Sequence, residues 1–449
     1  MPKPDPGDAG TADRNPADDL TTDQAPDLFA SPPLPVAELD DTQRIACLRL
    51  IRSDNVGPVT FRQLINHYGG AAEALEALPE IASRSGRKRA LRICSREAAI
   101  AELEAASRCG ATPIFTIEPG YPRRIALTDV PPPMLYAKGR LDLLNQPSVA
   151  IVGARQCSAA GQKLSRTFAL ELGKAGLIVV SGLARGIDGA AHIASVETGT
   201  IAVVAGGVDV IYPPEHDKLH AQIAEQGCII SEMPCGFRPR GKDFPRRNRL
   251  ISAASLGVLV IEAARRSGTL STARMAGEQG RSVFAIPGNP LDPRAEGTNL
   301  LIKNGATLVT EASDIIDALA PMTDHAHGSF NEPPAMMAYP QTTPSPSTTS
   351  GGSTDEPSPT DPEMDAPSVA TTRSGQASAS PVVSVASVGM SEEAAIAAVE
   401  QAIGPAPVEI DDIIRSTGLP ARQVRTIILE LDLAGAIEHH GSNLVSTRV

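Results

Sequence analysis

Apolar positions along the chain fall into three different patterns. From Thr42 they recur at helical spacing as Ile45, Leu48, Leu50 and Ile51, break at Asn55-Val56-Gly57-Pro58, and resume as Phe61, Leu64 and Ile65. The spacing predicts two helices around a glycine turn, within a helical domain over 42–114. From Ser148 onward short, wholly apolar runs alternate with polar periodic stretches, and the runs predict strands at 148–153, 177–181, 200–205, 228–231, 257–262, 281–286 and 307–309. Strands without a polar face are buried on both sides, so the alternation implies an α/β domain over 115–320 with a mostly parallel sheet covered by helices. Pro119 to Pro133 reads as a proline-rich connector leading into it. The third pattern runs from Ile396, Val399 and Ile403 through Ile410, Ile413 and Ile414, breaks at Gly418-Leu419-Pro420, and continues with Val424, Ile427, Ile428 and Leu431. With two short terminal runs around His439-His440-Gly441-Ser442, this predicts three helices and a hairpin, a winged-helix domain over 390–449.

The stretch Ser148–Gly189 organises the middle of the chain. The run Val149-Ala150-Ile151-Val152 stops at Gly153-Ala154-Arg155, passes Ser158, and gives way to Leu164, Phe168 and Leu172 at a spacing of four; a second run, 177–180, ends in Ser181-Gly182-Leu183-Ala184-Arg185-Gly186-Ile187-Asp188-Gly189. This is a strand–helix–strand unit with small residues and one arginine at each strand exit. In open α/β sheets ligands sit beyond the carboxyl ends of parallel strands, where glycines admit a close approach and helix N-termini offer free N–H groups. The G-x-G-x-x-G fingerprint is absent, since the glycine after Gly153 is Gly161, which argues against dinucleotide binding; no cofactor is expected.

Charge changes this picture. The net charge is −12, yet residues 1–42 carry ten acids and two bases, 321–390 seven and one, and 391–449 nine and four, which leaves 43–320 at +7. A basic body between acidic segments suits an anionic polymer. Residues 1–41 and 321–389 are rich in Pro, Ser, Thr, Ala and Asp without periodicity, and are read as a disordered tail and linker. The opening residues lack a basic region and an apolar core, and no apolar run reaches membrane-spanning length, so a cytoplasmic protein without membrane contact is expected. Six cysteines include no C-x-x-C pair, which predicts reduced, largely buried thiols rather than a disulfide or zinc framework.

Five words in order, 149–155 (Val-Ala-Ile-Val-Gly-Ala-Arg), 181–188 (Ser-Gly-Leu-Ala-Arg-Gly-Ile-Asp), 212–214 (Tyr-Pro-Pro), 244–249 (Phe-Pro-Arg-Arg-Asn-Arg) and 267–270 (Ser-Gly-Thr-Leu), closely resemble the DNA-processing protein A (DprA or Smf) family from about Tyr121 to Leu308. The resemblance implies an extended Rossmann-like central domain, preceded by a helix-hairpin-helix or sterile-alpha-motif-like domain and followed by a winged helix. It further implies a dimer that binds single-stranded DNA, protects incoming strands during natural transformation and loads the RecA recombinase.

Candidate contacts follow from the words and their chemistry. Gly153 and Arg155, with Ser158 capping the next helix, are expected to cradle a phosphate; Ser181, Gly182, Arg185 and Gly186 form the neighbouring exit, and Asp188 caps the following helix. Residues 238–249 hold six bases, one acid and an aromatic ring, a composition suited to neutralising phosphates while stacking an unpaired base; Lys242, Phe244, Arg246, Arg247, Asn248 and Arg249 are the candidates there. The plainer alternative is an exposed basic loop plus a helix in which Arg249 pairs with a carboxylate. Gly268 and Thr269 open a further helix after a strand and would line the pocket, with Lys218 as a basic lip. Family members often have serine where Thr269 stands and usually asparagine where His216 stands. His216 and His220, four apart, lack a third ligand and are read as surface histidines.

No Ser/His/Asp order, Walker lysine or paired-carboxylate word is present, so a non-enzymatic DNA-binding role is favoured. The competing class is a Rossmann-like nucleotide-processing enzyme of the phosphoribohydrolase type. Such enzymes carry Gly-Gly-x-Gly-Thr closely followed by a catalytic glutamate, whereas only Gly268-Thr269 is present here and the next acid is Glu278. A third reading is an adaptor whose terminal modules do the binding.

Overall fold

The computed structural model describes residues 38–84, 91–328 and 391–448. The expected tail up to residue 37, residues 329–389 of the expected linker, and residues 85–90 and 390 lie outside them.

Four helices form the first domain: α1 (Asp41–Ile51), α2 (Pro58–Tyr68), α3 (Ala71–Arg84) and α4 (Arg96–Arg108). Asp40 starts α1 through a reciprocal capping box, its side chain accepting from the Gln43 amide at 2.8 Å while the Gln43 side chain accepts from the Asp40 amide at 2.9 Å. Gly57 and Pro58 open α2, where a missing N–H costs nothing, and Gly69 closes it in the left-handed region. Leu48, Leu50, Phe61, Leu64 and Leu78 make the buried seam among these helices.

The central domain runs β1 (Thr112–Phe115), α5 (Arg123–Ala126), β2 (Met134–Gly139), β3 (Ser148–Val152), α6 (Ala159–Lys174), β4 (Ile178–Ser181), α7 (Ile187–Ser195), β5 (Thr200–Val203), α8 (Asp217–Gln226), β6 (Cys228–Ser231), α9 (Asp243–Ala253), β7 (Gly257–Val260), α10 (Gly268–Glu278), β8 (Ser282–Ala285), α11 (Glu296–Lys303), β9 (Thr307–Leu308) and α12 (Ala312–Gly328). Its nine-stranded sheet has the order β1-β2-β6-β5-β4-β3-β7-β8-β9. The seven strands legible in the sequence are all present and pair parallel with one another. The other two were not expected: β1 and β2 flank the proline-rich stretch, pair antiparallel with each other, and β2 pairs antiparallel with β6. Alternate residues of β3 feed two cores, as the period of a strand demands. Val149 and Ile151 pack with Phe168 and Leu172 of α6, while Ala150 and Val152 join Leu250 of α9 and Ala273 of α10. Helix α12 continues past residue 320, so the expected linker begins inside it.

The last domain comprises α13 (Glu392–Ala402), β10 (Val408–Glu409), α14 (Ile410–Thr417), α15 (Ala421–Ala434), β11 (Ile437–His439) and β12 (Leu444–Thr447). The predicted hairpin is joined by a third short strand, in the order β10-β12-β11. Leu429 and Leu433 of α15 leave their own domain's core and enter that of α1–α4; the Asn55 side-chain amide donates to the Leu433 carbonyl at 2.8 Å, and Thr60 bonds to the Asp432 carboxylate.

The cysteine expectation is corrected for one pair. Cys109, at the C-cap of α4, is joined by a disulfide to Cys235 in the loop between β6 and α9. Cys47 and Cys228 are buried free thiols, and Cys94 and Cys157 are half-buried free thiols. The pairing joins positions 126 residues apart that only the tertiary fold brings together.

Candidate nucleic-acid interface

Strand β3 is where the sheet changes direction: the chain winds outward through β4, β5 and β6 on one side and through β7, β8 and β9 on the other. The crevice beyond such a switch point is the expected ligand site. The loops after β3, β4 and β5 meet there, and the first turns of α9 close over them. Gly182, Leu183, Ala184, Val204, Ala205, Gly206, Val210, Tyr212, Pro239, Phe244 and Arg247 line a small cleft.

Glycines let these loops touch. Gly186 has φ 77°, and a Cβ there would lie 2.3 Å from the Ala154 carbonyl oxygen, so the exits of β3 and β4 can abut only at a glycine. At Gly153 a Cβ would strike Ile187 of α7 at 2.6 Å. Thr269 adds a third loop, its hydroxyl donating to the Gly153 carbonyl at 3.0 Å, and the Asn248 side-chain amide reaches the Gly268 carbonyl at 3.4 Å. Gly153, Gly182, Gly186, Phe244, Arg247, Asn248, Gly268 and Thr269 are therefore one connected assembly.

The amides expected to hold phosphate are occupied by the protein's own carboxylates. Buried Asp188, rather than capping its helix, turns back to accept from the amides of Gly182 at 3.2 Å and Ala184 at 3.4 Å, and that of Gly153 also bonds to it. Burial raises its pKa, against the opposing pull of Arg247 and of these amides. At the N-terminus of α6, Glu262 accepts from the Ser158 amide at 2.9 Å and from the Ser158 hydroxyl at 2.5 Å, while the same hydroxyl caps the Gly161 amide at 2.9 Å. Anion binding by backbone N–H groups at helix starts is a general property; here side chains from α7 and from the end of β7 use it up. A strand of nucleic acid would have to be met by side chains instead.

The candidates divide accordingly. Arg155 is exposed, its guanidinium carbon 5.3 Å from the centroid of the Phe244 ring, and among the described residues no carboxylate pairs with it. Tyr212 is 46% exposed, and its ring lies tilted against that of Phe244 with centroids 5.2 Å apart. Arg247 is 6% exposed, donates to the carbonyls of Gly182 at 2.6 Å and Val203, and has its pKa pulled down to about 10 by burial, with Arg155 adding to the fall and Asp188 opposing it. It is the floor of the cleft rather than a free hand for phosphate. Ser181 is fully buried and donates to the Ile151 carbonyl at 2.6 Å, which ties β4 to β3 and leaves it no ligand role. Arg249 pairs with Glu232 and donates to the Val130 carbonyl at 3.0 Å, as the plainer sequence reading had it, and Arg246 reaches the same Glu232 at 3.4 Å. Arg185 is paired with exposed Glu215 at 2.5 Å. Lys242 and Lys218 are exposed, on the N-cap of α9 and the first turn of α8.

Tyr212, Asp188 as an anchor and Glu262 were missed as parts of the site. The Tyr-Pro-Pro word was a signal for the first; the other two are acids whose partners lie on other loops. His216 is held by its Nδ1 at 3.1 Å from the Leu183 carbonyl oxygen and stacks over Gly189. The cleft holds about 10 Å³, the room of a single water, whereas small-molecule sites enclose on the order of 300–1,000 Å³. Glu278, the acid an enzyme reading needs, sits at the far end of α10 from Gly268 and pairs with Arg274 at 3.5 Å.

A doubly wound, mostly parallel sheet between a helical domain and a winged helix, with an arginine and aromatic platform at its switch point, defines a three-part Rossmann-like class of protein. Comparison with known proteins gives the family. Residues 112–320 match the family described as DNA recombination-mediator protein A, 41–105 the DprA-like N-terminal HHH domain, and 389–443 the DprA winged helix domain. DNA processing protein DprA of Streptococcus pneumoniae is 39% identical over 252 residues, 56% of this chain and 89% of that protein. Protein Smf of Escherichia coli is 46% identical over 202 residues, 44% of this chain and only 54% of that protein. The X-ray structure of the Streptococcus pneumoniae protein aligns with a TM-score of 0.52 at 33% identity, covering 63% of this chain and 98% of that one. The chain belongs to the DprA/Smf family.

Proposed function

We propose that this protein binds single-stranded DNA across the outer face of the switch-point cleft. The observation that carries the reading is the platform of Tyr212, Phe244 and Arg155, in which a cation without a counter-charge lies over the half-buried Phe244 ring beside the exposed ring of Tyr212. Rings accept unpaired bases of any sequence, and arginine meets both base faces and phosphate. A duplex has its bases already stacked and gains less from such a surface. On the family resemblance, the proposal extends to a cytoplasmic homodimer that protects incoming strands and hands them to the RecA recombinase, without catalysis of its own. The water-sized cleft and the distant Glu278 speak against nucleotide turnover.

Fluorescence anisotropy with single-stranded oligonucleotides of two sequences, at several salt concentrations, tests the reading. Replacing Phe244→Ala should weaken binding by about 1–3 kcal/mol, the usual loss for one base–aromatic stack. For Arg155→Ala the loss should be equal for both sequences, and the slope of log affinity against log salt should flatten by roughly 0.7 for the lost phosphate contact. Folded variants with unchanged affinity and slope would remove the platform as the site, and nucleotide hydrolysis by the parent would favour the enzyme class.

A further inference from the structure

The loop that follows β6 builds one wall of the cleft and is held at two points. Asp209 accepts from the Gly236 amide with both carboxylate oxygens, at 2.9 and 3.0 Å, and the Phe237 carbonyl accepts from the Gly207 amide at 2.9 Å. Pro239, two residues on, packs over Gly206 and lines the cleft, and Phe244 stands on the next helix. Cys235, immediately before Gly236, is joined to Cys109 of the helical domain, and both residues are only half-buried. The Asp209 carboxylate lies within 4.8 Å of both sulfurs.

We propose that Cys109 and Cys235 form a reversible thiol–disulfide modification site, which takes small-molecule disulfides as its oxidant and clamps the cleft wall to the helical domain. A thiolate of the pair attacks one sulfur of the reagent; the reagent's S–S bond breaks, a mixed disulfide forms and one small thiol leaves with a proton. The second cysteine then attacks the protein sulfur of the mixed disulfide and expels the second small thiol. The two protein thiols lose two electrons and two protons, and the reagent is reduced to two thiols. Half-burial gives the reagent access, which Cys47 and Cys228 do not offer. In the reduced state the wall loses its covalent anchor and is held by non-covalent contacts, among them the hydrogen bonds to Asp209 and Gly207, so it opens more readily; the clamp is independent of whether DNA is the ligand.

The experiment uses the full chain, reduced and then titrated with glutathione disulfide. The expected result is the loss of two thiols and one cross-linked peptide pair containing Cys109 and Cys235, absent in Cys109→Ser and in Cys235→Ser. Amide exchange over 232–242 should be roughly fivefold or more faster in the reduced protein, because a segment that loses a covalent anchor opens locally at lower cost. Cross-links scattered over other cysteines, mixed disulfides that never close, or equal exchange rates in the two states would each overturn the proposal. So would tight uptake of one zinc ion by the reduced chain, lost in Asp209→Asn, since the cluster would then be a metal site.

Discussion

Arg247 shows how one residue's surroundings decide its part. It lies in a word full of bases, and as a free cation it would be the natural phosphate contact. The structure instead sinks it below Gly182 and Val203, next to Asp188. Arg247→Ala should therefore destabilise the fold by about 1–3 kcal/mol, the cost of leaving buried carbonyls at Gly182 and Val203 without their donor, whereas Arg155→Ala should leave stability within about 0.5 kcal/mol, as for other exposed positions. Urea denaturation of the two variants side by side checks this; equal midpoints would mean that Arg247 is dispensable to the core. The word's ambiguity has a simple origin. On helix α9 successive residues point about 100° apart, so Arg246 and Arg249 share a side facing Glu232 while Arg247 turns inward. Composition reports that arginines are present; only the helix phase sorts them.

At the scale of elements, the parallel strands were legible because burial on both faces leaves a continuous apolar run, as in Val149–Val152. Strand β1, Thr-Pro-Ile-Phe, carries a proline, and β2 ends in Lys138-Gly139, so neither stands out beside the prolines between them. Helix α6 was legible too, through Leu164, Phe168 and Leu172, and so was its Ser158 cap. Its occupant was not. Glu262 comes from the end of β7, 104 residues away, and a carboxylate at a helix start is worth about 1 kcal/mol or more. Glu262→Ala should lower stability by roughly 1–2 kcal/mol on these grounds. If denaturation shows no loss, the pairing at the α6 terminus contributes nothing and the amides there are free for an outside anion.

Across the whole molecule, the winged helix touches the helical domain through Leu429, Leu433 and Asp432, and the Ser442 amide donates to the Asp129 carboxylate of the central domain at 3.0 Å. Removing residues 329–449 should thus loosen α2 and α3, which lose apolar cover, while the nine-stranded sheet keeps its protection and the protein still binds single strands. Hydrogen exchange by mass spectrometry on the truncated chain reads both parts. Loss of protection throughout β3 to β7 would show that the sheet depends on the last domain, and loss of binding with the sheet intact would move the site to the winged helix. No such dependence between domains is written in local sequence, because each domain's periodicity is complete by itself.

The placement of β2 bears also on the order of assembly. Its neighbour in the sheet is β6, with Tyr136 opposite Ser231 and Gly139 opposite Cys228, although β3, β4 and β5 are all made between them. A ribosome delivers β1 and β2 before any of the strands that shelter them, and loop closure over so long a stretch is entropically costly until the intervening strands have condensed. The hairpin of β1 and β2 is thus early in synthesis and late in docking, and it seals the edge that β6 would otherwise leave open.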